Sequence, residues 1–267
     1  MNLSRRGFVA AAAGSVLGAR LPQAPAVTPS GADPALGVIE LRQYTLHQGR
    51  RDTLIGMFEE HFIEPQNVLG AHIVGTFRDL DDPDRFVWIR GFADMQVRQR
   101  SLEAFYGGPV WQAHRQAANL TMLDSDNVLM LRPVSPAQGF GPAGNTAQDS
   151  HHIIGARIHY LGPADAPQFA SYFNQVLLPR FAAMGVRPLA QLISHEAANN
   201  FRLPIREHET VFVWLARWTS LAEEEDWARR WSAVSGWRDE APESLLPAFM
   251  RKPERLRLAP TALSALR

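Results

Sequence analysis

Arg85-Phe86-Val87-Trp88-Ile89-Arg90-Gly91-Phe92 decides the fold, because its centre returns as Phe212-Val213-Trp214, 126 positions after Phe86-Val87-Trp88. The run is β-branched and aromatic, as strands are, and it follows Asp81-Asp82-Pro83-Asp84, whose carboxylates and fixed proline angle favour a tight turn. It therefore reads as the second arm of a hairpin whose first arm is Ala71–Arg78. Upstream, Val38–Leu46 alternates apolar Ile39 and Leu41 with polar Glu40 and Arg42, the period of a strand. Leu54, Met57, Phe58, His61 and Phe62 then recur at helical spacing up to Pro65. Downstream, Asp94 is the expected N-cap of a helix to Tyr106; Gly107-Gly108-Pro109 interrupts it, Trp111–Ala118 resumes it, and Asn127–Arg132 is the last strand.

The same order recurs. Trp111 returns as Trp237 at the 126-residue offset, while Leu41-Arg42, Phe58 and Gly70 return as Ala156-Arg157, Phe173 and Gly185, 115 positions on. An 11-residue insertion around Asn199–His208 reconciles the two offsets, and we read a duplication. Four strands with a few helices can cover one face of a sheet, so the other face needs a second sheet. The expected fold is α+β: two tandem ferredoxin-like units whose open faces meet as one barrel within a single chain. The units are expected at residues 37–134 and 151–262, joined by a Gly/Pro/Asn/Ala-rich linker over 135–150.

Composition removes several classes of function. With 27 basic and 27 acidic residues, the chain lacks the positive excess that nucleic acid or an anionic membrane attracts. The absence of cysteine excludes disulfides, thiolate nucleophiles and cysteine-ligated metals or haem, and Lys252 is the only lysine. Ser4-Arg5-Arg6-Gly7-Phe8, followed by the apolar run Val9–Ala19, resembles a twin-arginine export signal. Residues 1–26 are expected to be that signal peptide and the proline-rich 27–36 a disordered spacer. The mature protein is then periplasmic or secreted, with the twin-arginine machinery as a transient partner and no stable membrane insertion.

Glu40-Leu41-Arg42-Gln43-Tyr44-Thr45-Leu46, Phe77-Arg78-Asp79, Asp82 to Phe92, Phe105-Tyr106-Gly107-Gly108-Pro109-Val110-Trp111 with His114-Arg115, and Asp124-Ser125-Asp126-Asn127-Val128-Leu129 together resemble the NIPSNAP family. The resemblance covers Val38 to about Val134 and extends only weakly into the second unit. It implies the dimeric α/β-barrel fold for both units. It implies no single reaction, since relatives in that superfamily include cofactor-free monooxygenases, isomerases, haem peroxidases and binding proteins.

Glu40, Arg42 and Tyr44 share one face of the first strand, and Gly155, Arg157 and His159 share the same face of its counterpart. If the apolar face turns to the helices, these polar sets point toward the other sheet. Trp88, Arg90 and Phe92, with their counterparts Trp214, Ala216 and Trp218, form aromatic rows fit for core or for walling an apolar ligand. Candidate ligand-binding residues are Glu40, Arg42, Tyr44, Trp88, Arg90, Arg157, His159 and Trp214; candidate catalytic residues are His159, His114 and Tyr44. Histidine could act as a base while arginine steadies an enolate-like anion. No histidine pair has metal-ligand spacing on a helix, so neither metal nor cofactor is expected. The expected function is binding of a small, apolar, oxygenated molecule, with cofactor-free proton-transfer or oxygenase-type chemistry as its catalytic form. The alternatives are a non-catalytic interaction scaffold and, more weakly, a haem-binding barrel. Fused units satisfy their own pairing, which leaves monomer or homodimer open.

Overall fold

The computed structural model describes residues 35–140 and 152–267; the export segment, nearly all of the spacer and residues 141–151 lie outside the described residues. The first half runs β1 (Val38–Leu46), α1 (Arg51–His61), α2 (Ile63–Val68), β2 (His72–Asp79), β3 (Arg85–Phe92), α3 (Met95–Gly107), α4 (Pro109–Asn119), β4 (Met122–Asp124) and β5 (Val128–Pro133). Local chemistry explains the joints. Asp79 and Asp82 accept backbone N–H groups two residues on and set the β2–β3 turn. Asp94 accepts from Val97 N at 2.7 Å and starts α3. Pro65 does not end the helical stretch: it falls in the first turn of α2, where a missing N–H costs nothing.

The second half runs β6 (Ile153–Leu161), α5 (Ala166–Tyr172), a π-helical segment (Phe173–Leu177), α6 (Leu178–Ala183), β7 (Ala190–Ser194), β8 (Thr210–Trp218), α7 (Leu221–Ser232), α8 (Leu246–Met250) and β9 (Glu254–Pro260). Ser220 caps α7 as Asp94 caps α3.

Eight strands close into a barrel in the order β1–β3–β2–β9–β6–β8–β7–β5 and back to β1, every neighbour antiparallel, with β4 appended to β1. Within the halves the ladders are long, β6 and β8 pairing over nine residues; the two seams between halves, β2–β9 and β5–β7, pair over three each. The tail after β9 adds to the first seam, Thr261 N donating to Thr76 O and Leu266 N to Val74 O.

The lumen is mostly apolar, although Gln43, on the face of Ile39 and Leu41, donates to Glu254 at 2.9 Å. Ile39, Leu41, Val87, Ile89, Leu129 and Leu131 meet Ile154, Ala156, Ile158, Val213, Leu215, Leu256 and Leu258, none more than 2% exposed. Each large aliphatic side chain there is worth about 1.5–3 kcal/mol of burial. This reverses the faces expected from the sequence. The apolar alternates fill the barrel, while Glu40, Arg42, Tyr44, Trp88 and Arg90 in the first half and Arg157, His159 and Trp214 in the second turn outward beneath the helices. The reason is room and partners: a small barrel's lumen is filled by side chains from opposing strands, whereas the helices bring Gln66, Arg98 and Glu224 down onto the outer face.

Candidate functional site

Beneath the first half's helices, Glu40 is bound by three arginines. Arg42 Nη1 and Arg90 Nε donate to Oε2 at 2.7 and 2.8 Å, and Arg98 Nε, from α3, donates to Oε1 at 2.7 Å. None of the four is more than 2% exposed. Burial alone would raise the Glu40 carboxyl, but Arg90, Arg42 and Arg98 outweigh it and hold it far below the usual carboxylate range. Arg42 Nε donates to Tyr44 Oη at 3.1 Å and Arg90 Nη1 to Gln66 Oε1 at 2.9 Å. The Arg42 and Arg90 guanidiniums also lie 5.3 and 5.0 Å from the Trp88 ring centre.

This cluster is covered by a segment of the other half. Asn200, within the β7–β8 insertion, accepts from Arg98 Nη1 and donates to Met95 O, and Phe201 stacks on Tyr106 at 5.6 Å. The candidates Glu40, Arg42, Tyr44, Trp88 and Arg90 are thus brought together, but as a closed ion-pair network. The same insertion walls a cavity of 540 Å³ that includes His195, Glu196, Arg206 and Glu209. Two of its acids are paired locally, Glu196 with Arg132 and Glu209 with Arg206.

The second half differs. Register sets Gln191, Trp214, Arg157 and Arg255 side by side across β7, β8, β6 and β9. The fully buried Glu224 reaches down from α7 and pairs with both Arg157 and Arg255. Glu224 is the fourth residue of α7, as Arg98 is of α3, so the two halves build equivalent helix-to-sheet ion pairs with opposite polarity. Where the first half has Glu40, Tyr44 and Arg90, the second has the smaller Gly155, His159 and Ala216.

A cavity of 710 Å³ opens beside His159, between the sheet and the helices, while the space over Gly155 is taken by Trp218. Phe173, Phe181, Trp214, Trp227, Trp231, Trp237 and Phe249 wall it, and Arg157 and His159 lie at its sheet side. Phe173 and Leu177 reach it from the π-helical segment, a distortion frequent at functional sites. His159 Nε2 accepts from Trp214 Nε1 at 3.3 Å. Burial, with a smaller contribution from Arg157, pushes its pKa down to about 3, so the ring is neutral and its free nitrogen, Nδ1, carries the proton.

His114 stands apart from both clusters, stacked on His61 at 3.8 Å on the helix layer. Sequence reasoning missed Arg98, Asn200, Glu224 and Arg255. One signal was present for Glu224: Arg157 is predicted to share a face with Gly155 and no acid, so its counter-ion had to come from another element.

Residues 39–138 match the NIPSNAP family model. Among solved structures, a candidate monooxygenase from Fusobacterium nucleatum aligns over 85% of this chain and 93% of its own length, with a TM-score of 0.54 and 7% identity, a likeness of fold. A NIPSNAP family protein from Agrobacterium tumefaciens aligns over 37% of this chain and 89% of its own, with 20% identity and a TM-score of 0.34. A NIPSNAP-like domain protein from Burkholderia xenovorans aligns over 37% and 86%, with 22% identity and a TM-score of 0.34. No curated protein matches the chain.

Proposed function

Since residues 39–138 are a NIPSNAP domain within a closed α/β barrel, we propose that this protein binds a small, largely apolar, oxygenated molecule in the cavity of its second half, without a bound cofactor. The observation that carries the reading is the 710 Å³ aromatic-walled cavity with Arg157 and His159 at its sheet side. That volume lies in the range of sites for drug-sized ligands, which combine apolar walls with a few placed polar groups. The first half, whose arginines converge on Glu40 beneath the covering insertion, acts as scaffold.

Binding is better supported than proton transfer. A histidine with pKa near 3 and its acceptor nitrogen already occupied is a weak base at neutral pH, though well suited to orient a ligand oxygen through Nδ1–H. On the strength of the export motif, we place this activity in the periplasm or outside the cell.

Four of the seven tryptophans, Trp214, Trp227, Trp231 and Trp237, line the cavity, so their fluorescence reports occupancy directly. Titration of the full chain with 8-anilinonaphthalene-1-sulfonate should quench them saturably, and Ala228→Phe, which adds bulk to the wall, should weaken that binding at unchanged thermal stability. Equal affinity in the two proteins, or no binding to either, refutes the cavity and leaves the interaction scaffold.

A further inference from the structure

We propose that the ligand of this cavity is an amphipathic organic acid, a carboxylate or sulfonate on an apolar body, which enters body first and leaves its anionic group at the mouth on Arg238, Arg251 and Lys252. The inference rests on the cavity being a binding site, as proposed above.

The distribution of charge carries it. At the sheet side, Arg157 and Arg255 already share Glu224, and an anion placed there would have to displace a buried carboxylate from two guanidiniums, a costly exchange. The body of the cavity is Phe173, Leu177, Phe181 and Trp214, suited to hydrocarbon or an aromatic ring. The mouth is different. Among the described residues Glu225 is the one carboxylate that lines the cavity, and it is held by Arg257 at 2.6 Å. Arg229 is committed to Asp226.

Arg238, Arg251 and Lys252 are exposed, line the cavity and pair with no carboxylate among the described residues. Two of them are already ordered: the Arg238 guanidinium lies 4.1 Å from the Trp237 ring centre and that of Arg251 3.8 Å from Tyr160. Stacking of this kind lowers the entropy lost when the group takes a ligand. Uncompensated cations around an apolar hole repel a cationic ligand and are left unanswered by a neutral one; an acid with an apolar body meets both features.

The test compares dodecanoate with dodecan-1-ol, which share a body and differ in charge, by tryptophan fluorescence and calorimetry on the full chain. Dodecanoate should bind at least about tenfold more tightly, and that advantage should shrink in about 0.5 M salt because the mouth is solvated. Arg251→Glu combined with Lys252→Glu should weaken dodecanoate about tenfold and dodecan-1-ol less than about twofold; Arg238→Gln should act in the same direction, more weakly. All three positions are exposed, so unchanged melting temperatures verify the fold of the variants. Binding of dodecan-1-ol with no preference for dodecanoate, or equal effects of the charge reversal on both, overturns the head-outward acid and leaves the cavity reading standing. If neither these ligands nor the naphthalene sulfonate binds, the cavity reading falls with it.

Discussion

Glu40→Gln is the substitution that most directly tests the first half. It keeps the shape of the side chain and removes the one carboxylate shared by Arg42, Arg90 and Arg98, all of them buried. An amide oxygen cannot match the charge of three guanidiniums, and the new NH2 group would face one of them. Breaking a buried ion pair by deleting one partner costs about 3–5 kcal/mol, and a carboxylate engaged by three arginines belongs at the upper end. Against a total stability of about 5–15 kcal/mol this is a large fraction, and it corresponds to a drop in melting temperature of about 6–20 °C for a fold of this size. Urea denaturation with an unchanged m-value, alongside calorimetry, measures it. Adding Arg98→Met to Glu40→Gln should recover part of the loss by removing one unmatched charge. The pH dependence has a definite sign. Glu40 is held below its ordinary value of 4.5, so its contribution is complete above that pH and is lost as the pH falls below it. Wild type should therefore lose stability on acidification more steeply than Glu40→Gln. A cost under about 1 kcal/mol at constant m-value would refute the reasoning, because it would mean that the cluster is hydrated or that its charges do not sustain the packing.

Three further outcomes are expected. Trp88, 1% exposed and 4.8 Å from Phe58 between ring centres, should cost about 3–5 kcal/mol when truncated to alanine; a loss nearer 1 kcal/mol in chemical denaturation would show that it is not a core residue. His159 should remain neutral from about pH 8 to about pH 4.5 by NMR. Its folded pKa of about 3 lies below the ordinary 6.5, so the stability it contributes is present above 6.5 and lost as the pH falls; a ring titrating near 6.5 would contradict its burial. Finally, Arg5→Lys with Arg6→Lys should hold the precursor in the cytoplasm on cell fractionation, and undiminished export of that variant would refute the twin-arginine assignment.

The strand pattern made the barrel legible. Alternation in Val38–Leu46 and the return of Phe-Val-Trp gave the elements, and the need to cover an open sheet face gave the closure. What alternation could not supply was the direction of each face. It separates Ile39 and Leu41 from Glu40 and Arg42, but which set faces the lumen depends on what waits on the other side, and Arg98 and Gln66 lie far from β1 in sequence. The residues of the first cluster were therefore identified while their surroundings were not. Glu224 escaped for a related reason: within Glu223-Glu224-Glu225-Asp226 every acid suits the first turn of a helix, and only the packing of α7 selects the one that is buried. His114 was attractive because it follows a broken helix, but that break places it against His61 and away from either sheet-side cluster.

The opposed polarity of the Arg98–Glu40 and Glu224–Arg157 pairs bears on how two such similar halves avoid being misassembled. Halves that share one order of elements are prone to exchanging equivalent elements during folding. Here an exchange of α3 and α7 would bring Arg98 down onto Arg157 and Arg255 and carry away Glu224, the acid that neutralises them. Three guanidiniums would then be packed together with that counter-charge gone, a state burdened with the energy of unpaired charges out of water. The opposed pairs match each helix to its own sheet, so that likeness of fold between the halves need not become structural ambiguity.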